Sequence, residues 1–293
     1  MNEDLLSIVM VVYNHGQYLK DSIESVISQE FKNWELIIVD DGSRDNSLEI
    51  AKIYAQEHSD RIKVFTHLPG KNLGIAASYI LGIGVCRGGF VGFLEGDDIW
   101  SERNAQNKID KLSIEGVGLV YSDVKPFGET ETIAMRRLTS RPVVNLPTYM
   151  PFNAFPRILV DNFIPSFSAT IVRREMLQGI EFISDPKCSM WMDWFIWIQV
   201  SMNTKFFFIP ERLVFWRIYR ESYCSRFISK SGFIKMVLLD LRYRGLLIEK
   251  LVLTADVDYR AKFKRLYLLS IAFFKKIFYT FIVWKPAIYV RMH

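Results

Sequence analysis

Three carboxylates fall within four positions where a run of strand-forming residues ends. In FVGFLEGDDIW, residues 90–100, Phe90, Val91, Phe93 and Leu94 lead directly into Glu95, Asp97 and Asp98. Like charges gathered at the end of a buried strand are unfavourable unless a cation neutralises them. Glu95 and Asp97 stand two residues apart, so on extended backbone both face the same side, and Gly96 between them permits close approach of backbone or ligand. Hard oxygen ligands in this number suit Mg2+ or Mn2+, and Mg2+ in particular is usually held by one or two carboxylates together with substrate phosphates. Taken alone, the same residues also suit a solvated acidic loop capping a helix that starts near Ser101.

Other polar residues close apolar runs in the same way. Asn14 follows LLSIVMVVY, residues 5–13, and Asp40 and Asp41 follow WELIIV, residues 34–39. The first of these runs is too short to span a bilayer and suits a strand covered on both faces. Ile62–Phe65, Phe90–Leu94 and Val117–Tyr121 repeat the pattern. Between them lie helical periods over Tyr18–Ser28, Ser47–Gln56, Ile75–Val85 and Asn104–Leu112. Strand and helix alternating at intervals of roughly thirty residues predict a mostly parallel α/β sheet flanked by helices. Ligands of such sheets bind at the carboxyl ends of the strands, where these polar residues collect.

Past Ser122 the pattern loosens. Residues 125–160 mix prolines with Arg136, Arg137 and Arg141 and read as an extended or lid-like connection. Regularity returns as a strand over Ser166–Arg173, a helix over Asp193–Met202 and short strands over Lys205–Ile209 and Arg212–Trp216. There is no internal repeat.

The chain has 293 residues, half of them apolar, enough for a substantial core and far from the composition of disorder. Its formal charge of +5 is unevenly placed: residues 229–293 carry thirteen Lys and Arg against four Asp and Glu, a net +9, which leaves −4 for residues 1–228. The body is thus mildly acidic and the tail strongly basic, and nucleic acid is not an expected partner. Three cysteines without CxxC spacing indicate neither a disulfide framework nor a zinc site, and an acidic start, MNEDLL, is unlike a secretory signal. A cytoplasmic protein with reduced thiols is expected.

Four stretches in order, SIVMVVYNHGQYL, WELIIVDDGSRDNS, NLGIAASYILGI and GGFVGFLEGDDIW, together resemble the family 2 glycosyltransferases, inverting enzymes that use nucleotide-sugar donors and have the GT-A fold. The resemblance covers residues 7 to about 123 closely and about 165 to 220 more loosely. It implies a GT-A domain over residues 1–228, with a nucleotide-sugar-binding half (1–123) and an acceptor-binding half (124–228). It places Tyr13 where an aromatic ring stacks on the nucleobase, with Asn14 beside it. Asp41 falls where the base, usually uracil, is hydrogen-bonded, and Asp40 supports that site. Glu95 opens the family's DxD motif, Asp97 is the metal-ligating position, and Asp98 follows in the donor site. Glu in place of the first Asp is a departure that lengthens the ligand by one methylene. After NLG the usual small and Arg-Asn positions read Ala77, Ser78 and Tyr79, so only Asn72 and Gly74 carry over.

The same resemblance assigns the base. CSMWMDWFIWIQV, residues 188–200, is similar to the family segment in which an Asp opens a Trp- and Leu-rich helix and takes the acceptor proton, which makes Asp193 the catalytic residue. A helix N-terminus stabilises an ionised carboxylate there, and Trp191, Trp194 and Trp197 offer a sugar platform. An N-cap Asp opening a core helix is the structural alternative. Where relatives carry a YRxH-like segment, this chain reads WRIYRES: Arg217 matches as a phosphate contact, and Tyr219 stands in place of His. No histidine has metal-ligand spacing, and His15, His58, His67 and His293 read as surface or loop residues.

The resulting expectation is transfer from a nucleotide-diphospho-sugar, UDP-linked, with Mg2+ or Mn2+, to a hydroxyl of a glycan or lipid-linked acceptor in cell-surface polysaccharide synthesis. A sugar nucleotidyltransferase would need a Gly-rich, basic phosphate loop that VYNHGQY lacks. A catalytically silent, membrane-attached scaffold is opposed by the joint presence of Asp41, Asp97 and Asp193. The basic tail, residues 229–293, is expected to form amphipathic helices. Over residues 263–284 it interrupts an apolar stretch with Lys275 and Lys276, which suits the plane of an anionic membrane at the inner face of the cell membrane. Packing on the catalytic domain or an oligomer contact through these helices is the alternative.

Overall fold

The computed structural model describes residues 2–67, 70–129, 146–158, 161–182 and 191–222. Apart from Asp161, these belong to one compact unit. The tail, residues 229–293, lies outside the described residues, as do Arg136, Arg137 and Arg141.

The first apolar run is the centre of the sheet. Strand β1 (Asn2–Val12) pairs in parallel with β2 (Trp34–Asp40) on one side and β4 (Gly88–Glu95) on the other, and β2 pairs in parallel with β3 (Ile62–Thr66). Leu6, Ile8, Val9, Met10 and Val12 have no exposed surface, as a strand covered on both faces requires. Helices α1 (Leu19–Ile27), α2 (Ser47–Glu57) and α3 (Ile75–Val85) supply the crossovers. Gly82 lets α3 lie directly on Val9, where a Cβ would not fit.

From β4 the sheet continues through β8 (Thr170–Arg173), β6 (Val117–Gly128), β9 (Lys205–Ile218) and β5 (Ile99–Trp100), and β7 (Pro151–Phe152) adds to β9. β6 and β9 are parallel over most of their length, whereas each antiparallel pairing spans only two or three residues. The sheet is thus mostly parallel, as the alternation predicts. α4 (Asn104–Leu112), the short α5 (Phe155–Ile158) and α6 (Met192–Ser201) complete the described helices.

Some boundaries differ from the sequence reading. The segment read as a strand over Ser166–Arg173 opens with a 3-10 turn, Phe167–Ala169, before β8. The two short strands after α6 are one, β9, whose pairing with β6 shifts register near Ser122 and Asp123. β6 runs on to Gly128, past the point where the pattern loosens, because β9 supplies it with partners from far along the chain.

The order β3-β2-β1-β4 makes the gap between β1 and β4 the point where connections reverse, and the crevice outside those carboxyl ends is where such sheets bind ligands. Register aligns Val12 with Asp40 and Val11 with Glu95, so both acidic sites open from one edge.

Candidate active site

The loops after β1 and β2 are laced together by side chains of the second. Ser43 Oγ accepts the Asn14 N–H (3.0 Å), Ser47 Oγ accepts that of His15 (2.9 Å) and Asp45 Oδ2 accepts that of Gly16 (2.9 Å). In return Asn14 Oδ1 accepts the Arg44 N–H (2.8 Å). Asn14 sits at φ 56, the left-handed region that Asn tolerates, which turns the chain out of β1 immediately after the half-buried Tyr13. Burial pushes the Asp45 carboxyl up, but the hydrogen bonds from Ser47 and Gly16 outweigh it and hold it below its usual range.

Asp40 and Asp41 point different ways. Asp40, 2% exposed, turns its own loop: Oδ2 accepts the N–H groups of Gly42 and Ser43, both at 3.1 Å. Asp41, also buried, reaches the loop before α3, where it accepts from Leu73 (2.8 Å) and Gly74 (3.0 and 3.2 Å). Burial raises its carboxyl, with the backbone donors opposing, and His67 Nε2 lies 3.7 Å away. Gly42, at φ 76, passes so close to Lys71 and Asn72 that a Cβ would collide with their backbone. Asn72 and Gly74 therefore belong to a loop that Asp41 holds.

At the end of β4, carboxylate oxygens of Glu95, Asp97 and Asp98 come within 4.8 Å of one another. The three are not equivalent. Asp98 is fully buried and faces the protein: Oδ2 accepts from Ser168 Oγ (2.6 Å) and Oδ1 from the Arg217 N–H (3.0 Å). Asp97 Oδ2 accepts from the Tyr219 hydroxyl (3.0 Å), with His15 Nε2 at 3.7 Å. Burial first, then the charges of Asp97, Asp98 and Asp193, push the Glu95 carboxyl well above the usual range. A divalent cation fits this site, because it would relieve that repulsion and Glu95 and Asp97 offer it oxygens.

Arg217, the expected phosphate contact, closes the acidic loop from the side. Its Nε donates to the Asp97 carbonyl (2.9 Å), its guanidinium reaches Asp21 Oδ2 (3.0 Å), and it lies over the rings of Tyr18 (4.4 Å) and Phe127 (4.5 Å).

Asp193 stands in the first turn of α6, whose N-cap position is Trp191. Its Oδ2 accepts from Asn162 Nδ2 (3.0 Å) and its Oδ1 from the Trp194 N–H (2.7 Å). Its charge contributes to the rise of the Glu95 carboxyl, so Asp193 lies within electrostatic reach of that acid. Trp197 is fully buried, and Trp194, 7% exposed, donates its indole N–H to the Ile158 carbonyl (2.5 Å). Trp191 is only partly buried and so retains surface for a ligand.

Residues 7–180 match the description of glycosyl transferase family 2. The chain belongs to this family. Among its relatives, glycosyltransferase GlyG of Streptococcus pneumoniae is 30% identical over 128 residues, 44% of this chain and 42% of that protein. The Escherichia coli UDP-Glc:alpha-D-GlcNAc-diphosphoundecaprenol beta-1,3-glucosyltransferase WfgD is 33% identical over 124 residues, 42% of this chain and 47% of that one. The matched segment thus spans less than half of either relative. Staphylococcus aureus TarS 1–349 in complex with UDP-GlcNAc superposes with a TM-score of 0.67 at 17% identity, over 91% of this chain and 70% of that one. The mannosyltransferase PcManGT of Pyrobaculum calidifontis in complex with GDP-Man and Mn2+ gives 0.55 at 13% identity, over 96% and 83%. At such identities the likeness establishes the fold, which is GT-A.

Within this glycosyltransferase frame, the sequence reading missed several residues. His15 and His67 lie in loops, as read, but their side chains are only 18% and 9% exposed, and each lies beside a site carboxylate. Ser168 donates its hydroxyl to Asp98 and accepts the Glu95 N–H (3.1 Å), so it ties both acids to the 3-10 turn that precedes β8. Its distance of some 70 residues from either leaves no local signal. A separate cavity of about 640 Å3 lies at the opposite, amino ends of β1 and β2. Its charged lining includes Arg61 paired with Asp60 and Arg87 paired with Glu35, at the other end of the strands from the acids of the candidate site.

Proposed function

We propose that this glycosyltransferase moves a sugar, with inversion, from a UDP-linked donor to a hydroxyl of a glycan or lipid-linked acceptor in the assembly of a surface polysaccharide. The observation that supports the reading is the common edge of the sheet from which the Asp41 loop and the Glu95–Asp97 pair open, with Asp193 within electrostatic reach of Glu95. Tyr13, at the end of β1, offers a ring to the nucleobase, with Asn14, Asp40 and Asp41 shaping the loops around it. UDP-GlcNAc in TarS and the UDP-Glc in the name of WfgD support a UDP-linked donor.

Asp97 and Glu95 would hold Mg2+ or Mn2+, which supplies charge stabilisation to the departing diphosphate. Mn2+ in the PcManGT complex supports this cofactor. Asp193 takes the acceptor's hydroxyl proton on a carboxylate oxygen as the new bond to the anomeric carbon forms. The old bond from that carbon to the phosphate oxygen breaks, and its electron pair leaves with the nucleoside diphosphate. Asn162 keeps Asp193 oriented, and the dipole of α6 favours its ionised form. Trp191 borders the acceptor side.

The basic segment 229–293 supports attachment to an anionic membrane, where a lipid-linked acceptor presents its hydroxyl. Among the described residues, no helix is long and apolar enough to cross a membrane.

Thermal shift with UDP-, GDP- and dTDP-sugars, each with Mn2+, tests the donor. The largest stabilisation is expected from a UDP-sugar, and the absence of stabilisation by any nucleotide-sugar would overturn the reading.

A further inference from the structure

Asp97 is held from three directions, and all three holds leave the same oxygen untouched. The backbone carbonyl of Asp97 accepts from Arg217 Nε (2.9 Å), while Oδ2 accepts from the Tyr219 hydroxyl (3.0 Å) and lies 3.7 Å from His15 Nε2. Both side chains of the hydrogen bond are buried, Tyr219 at 8% and Asp97 at 9% exposed. Among the described residues Oδ1 accepts no hydrogen bond. Tyr219 is itself fixed. Its ring packs on Tyr18 (centroids 4.8 Å, 55° between planes), and Tyr18 in turn lies under the Arg217 guanidinium.

A carboxylate crowded by Glu95 and Asp98 would otherwise swing away from them toward solvent. We propose that Tyr219 is a positioning residue: by donating to Oδ2, with His15 packed against the same atom, it pins the Asp97 carboxylate so that Oδ1 is the oxygen presented to the divalent cation. The inference rests on the metal-dependent reading above. At 3.0 Å from Oδ2 the Tyr219 hydroxyl is engaged as a donor to the carboxylate. Hydrogen-bonded partners of this kind orient metal ligands and typically change affinity by about 10- to 100-fold when removed.

The test measures Mn2+ binding by titration calorimetry or by the loss of the free-ion EPR signal, beside UDP binding without metal. Tyr219→Phe keeps the ring on Tyr18 and removes only the hydroxyl. It is expected to weaken Mn2+ about 10-fold or more while leaving metal-free UDP affinity unchanged. Tyr219→Met is the second hydroxyl-free variant should the Phe protein not fold. Asp97→Asn is expected to weaken Mn2+ further, and adding Tyr219→Phe to it to have no additional effect, because the hydroxyl acts through the carboxylate.

Wild-type Mn2+ affinity in the hydroxyl-free variants, with Asp97→Asn still impaired, overturns the positioning inference and leaves the metal site standing. Additive losses in the double variant also overturn it and make Tyr219 an independent ligand. A wild-type protein that binds no Mn2+, with or without UDP, overturns both readings together.

Discussion

Both carboxylate oxygens of Asp41 accept the backbone N–H of Gly74, at 3.0 and 3.2 Å, across two loops 33 residues apart. With the Leu73 N–H at 2.8 Å on the same side chain, one buried acid holds the loop that precedes α3 against the end of β2. One wall of the proposed nucleotide site is therefore held in place by Asp41.

Asp41→Asn turns an amide NH2 or a single oxygen toward these donors and leaves at least one of them without an acceptor. The expected cost is about 1–3 kcal/mol of stability. UDP affinity is expected to fall roughly tenfold, about 1.4 kcal/mol. Melting curves and calorimetry check this, and unchanged values for both would remove Asp41 from the site.

Asp193→Asn keeps the shape of the side chain and an oxygen for Asn162, but cannot take a proton. The expected loss in kcat is roughly 10²–10⁴-fold, with donor binding nearly unchanged. Parallel losses of kcat and melting temperature would instead give Asp193 a structural part in the first turn of α6.

On the proposed reading, removing the divalent cation and removing the Asp97 carboxylate have the same expected consequence. Excess EDTA and Asp97→Asn should each abolish most turnover, whereas Glu95→Gln should cost less, since the longer side chain is the departure from the family pattern. Full activity in EDTA would be incompatible with a cation at this cluster.

Glu35, at the amino ends of the strands, gives a pH-dependent contribution to stability that is separate from catalysis. Its oxygens accept from Ser7 Oγ (2.7 Å), the Arg87 N–H (2.8 Å) and Arg87 Nε (2.7 Å). Burial acts to raise its carboxyl, but these donors and the Arg87 charge win and lower it below the ordinary 4.5. In the unfolded chain the group binds its proton first, so the contribution is fully present above pH 4.5 and is lost as pH falls through the lower folded value. Glu35→Gln should cost about 2 kcal/mol at pH 7 with activity retained. In denaturant titrations the gap to wild type should close on acidification below 4.5, and a gap that widened there would contradict the assigned sign.

The basic segment 229–293 makes a prediction that does not depend on the sheet. The full-length protein should sediment with vesicles containing anionic lipid and be released by high salt, and truncation near Ser229 should leave a protein that still binds donor. A full-length chain indifferent to anionic vesicles at low salt would withdraw the support for a membrane-borne acceptor.

The sequence by itself determined the sheet and the chemistry of its edge. Runs such as Leu5–Tyr13 and Trp34–Val39 are long enough only for covered strands, and the helical periods between them force parallel neighbours, so Asn14, Asp40, Asp41, Glu95 and Asp97 must gather at the carboxyl ends. Tertiary structure decided what each of these residues does there. Asp98 faces inward because Ser168 arrives on the 3-10 turn before β8 and Arg217 on β9, 70 and 119 residues away, and Tyr219 and His15 meet at Asp97 from opposite ends of the domain. Periodicity records only which face of its own element a residue occupies. The partner across a sheet depends on strand order and register, and those follow from packing the whole core.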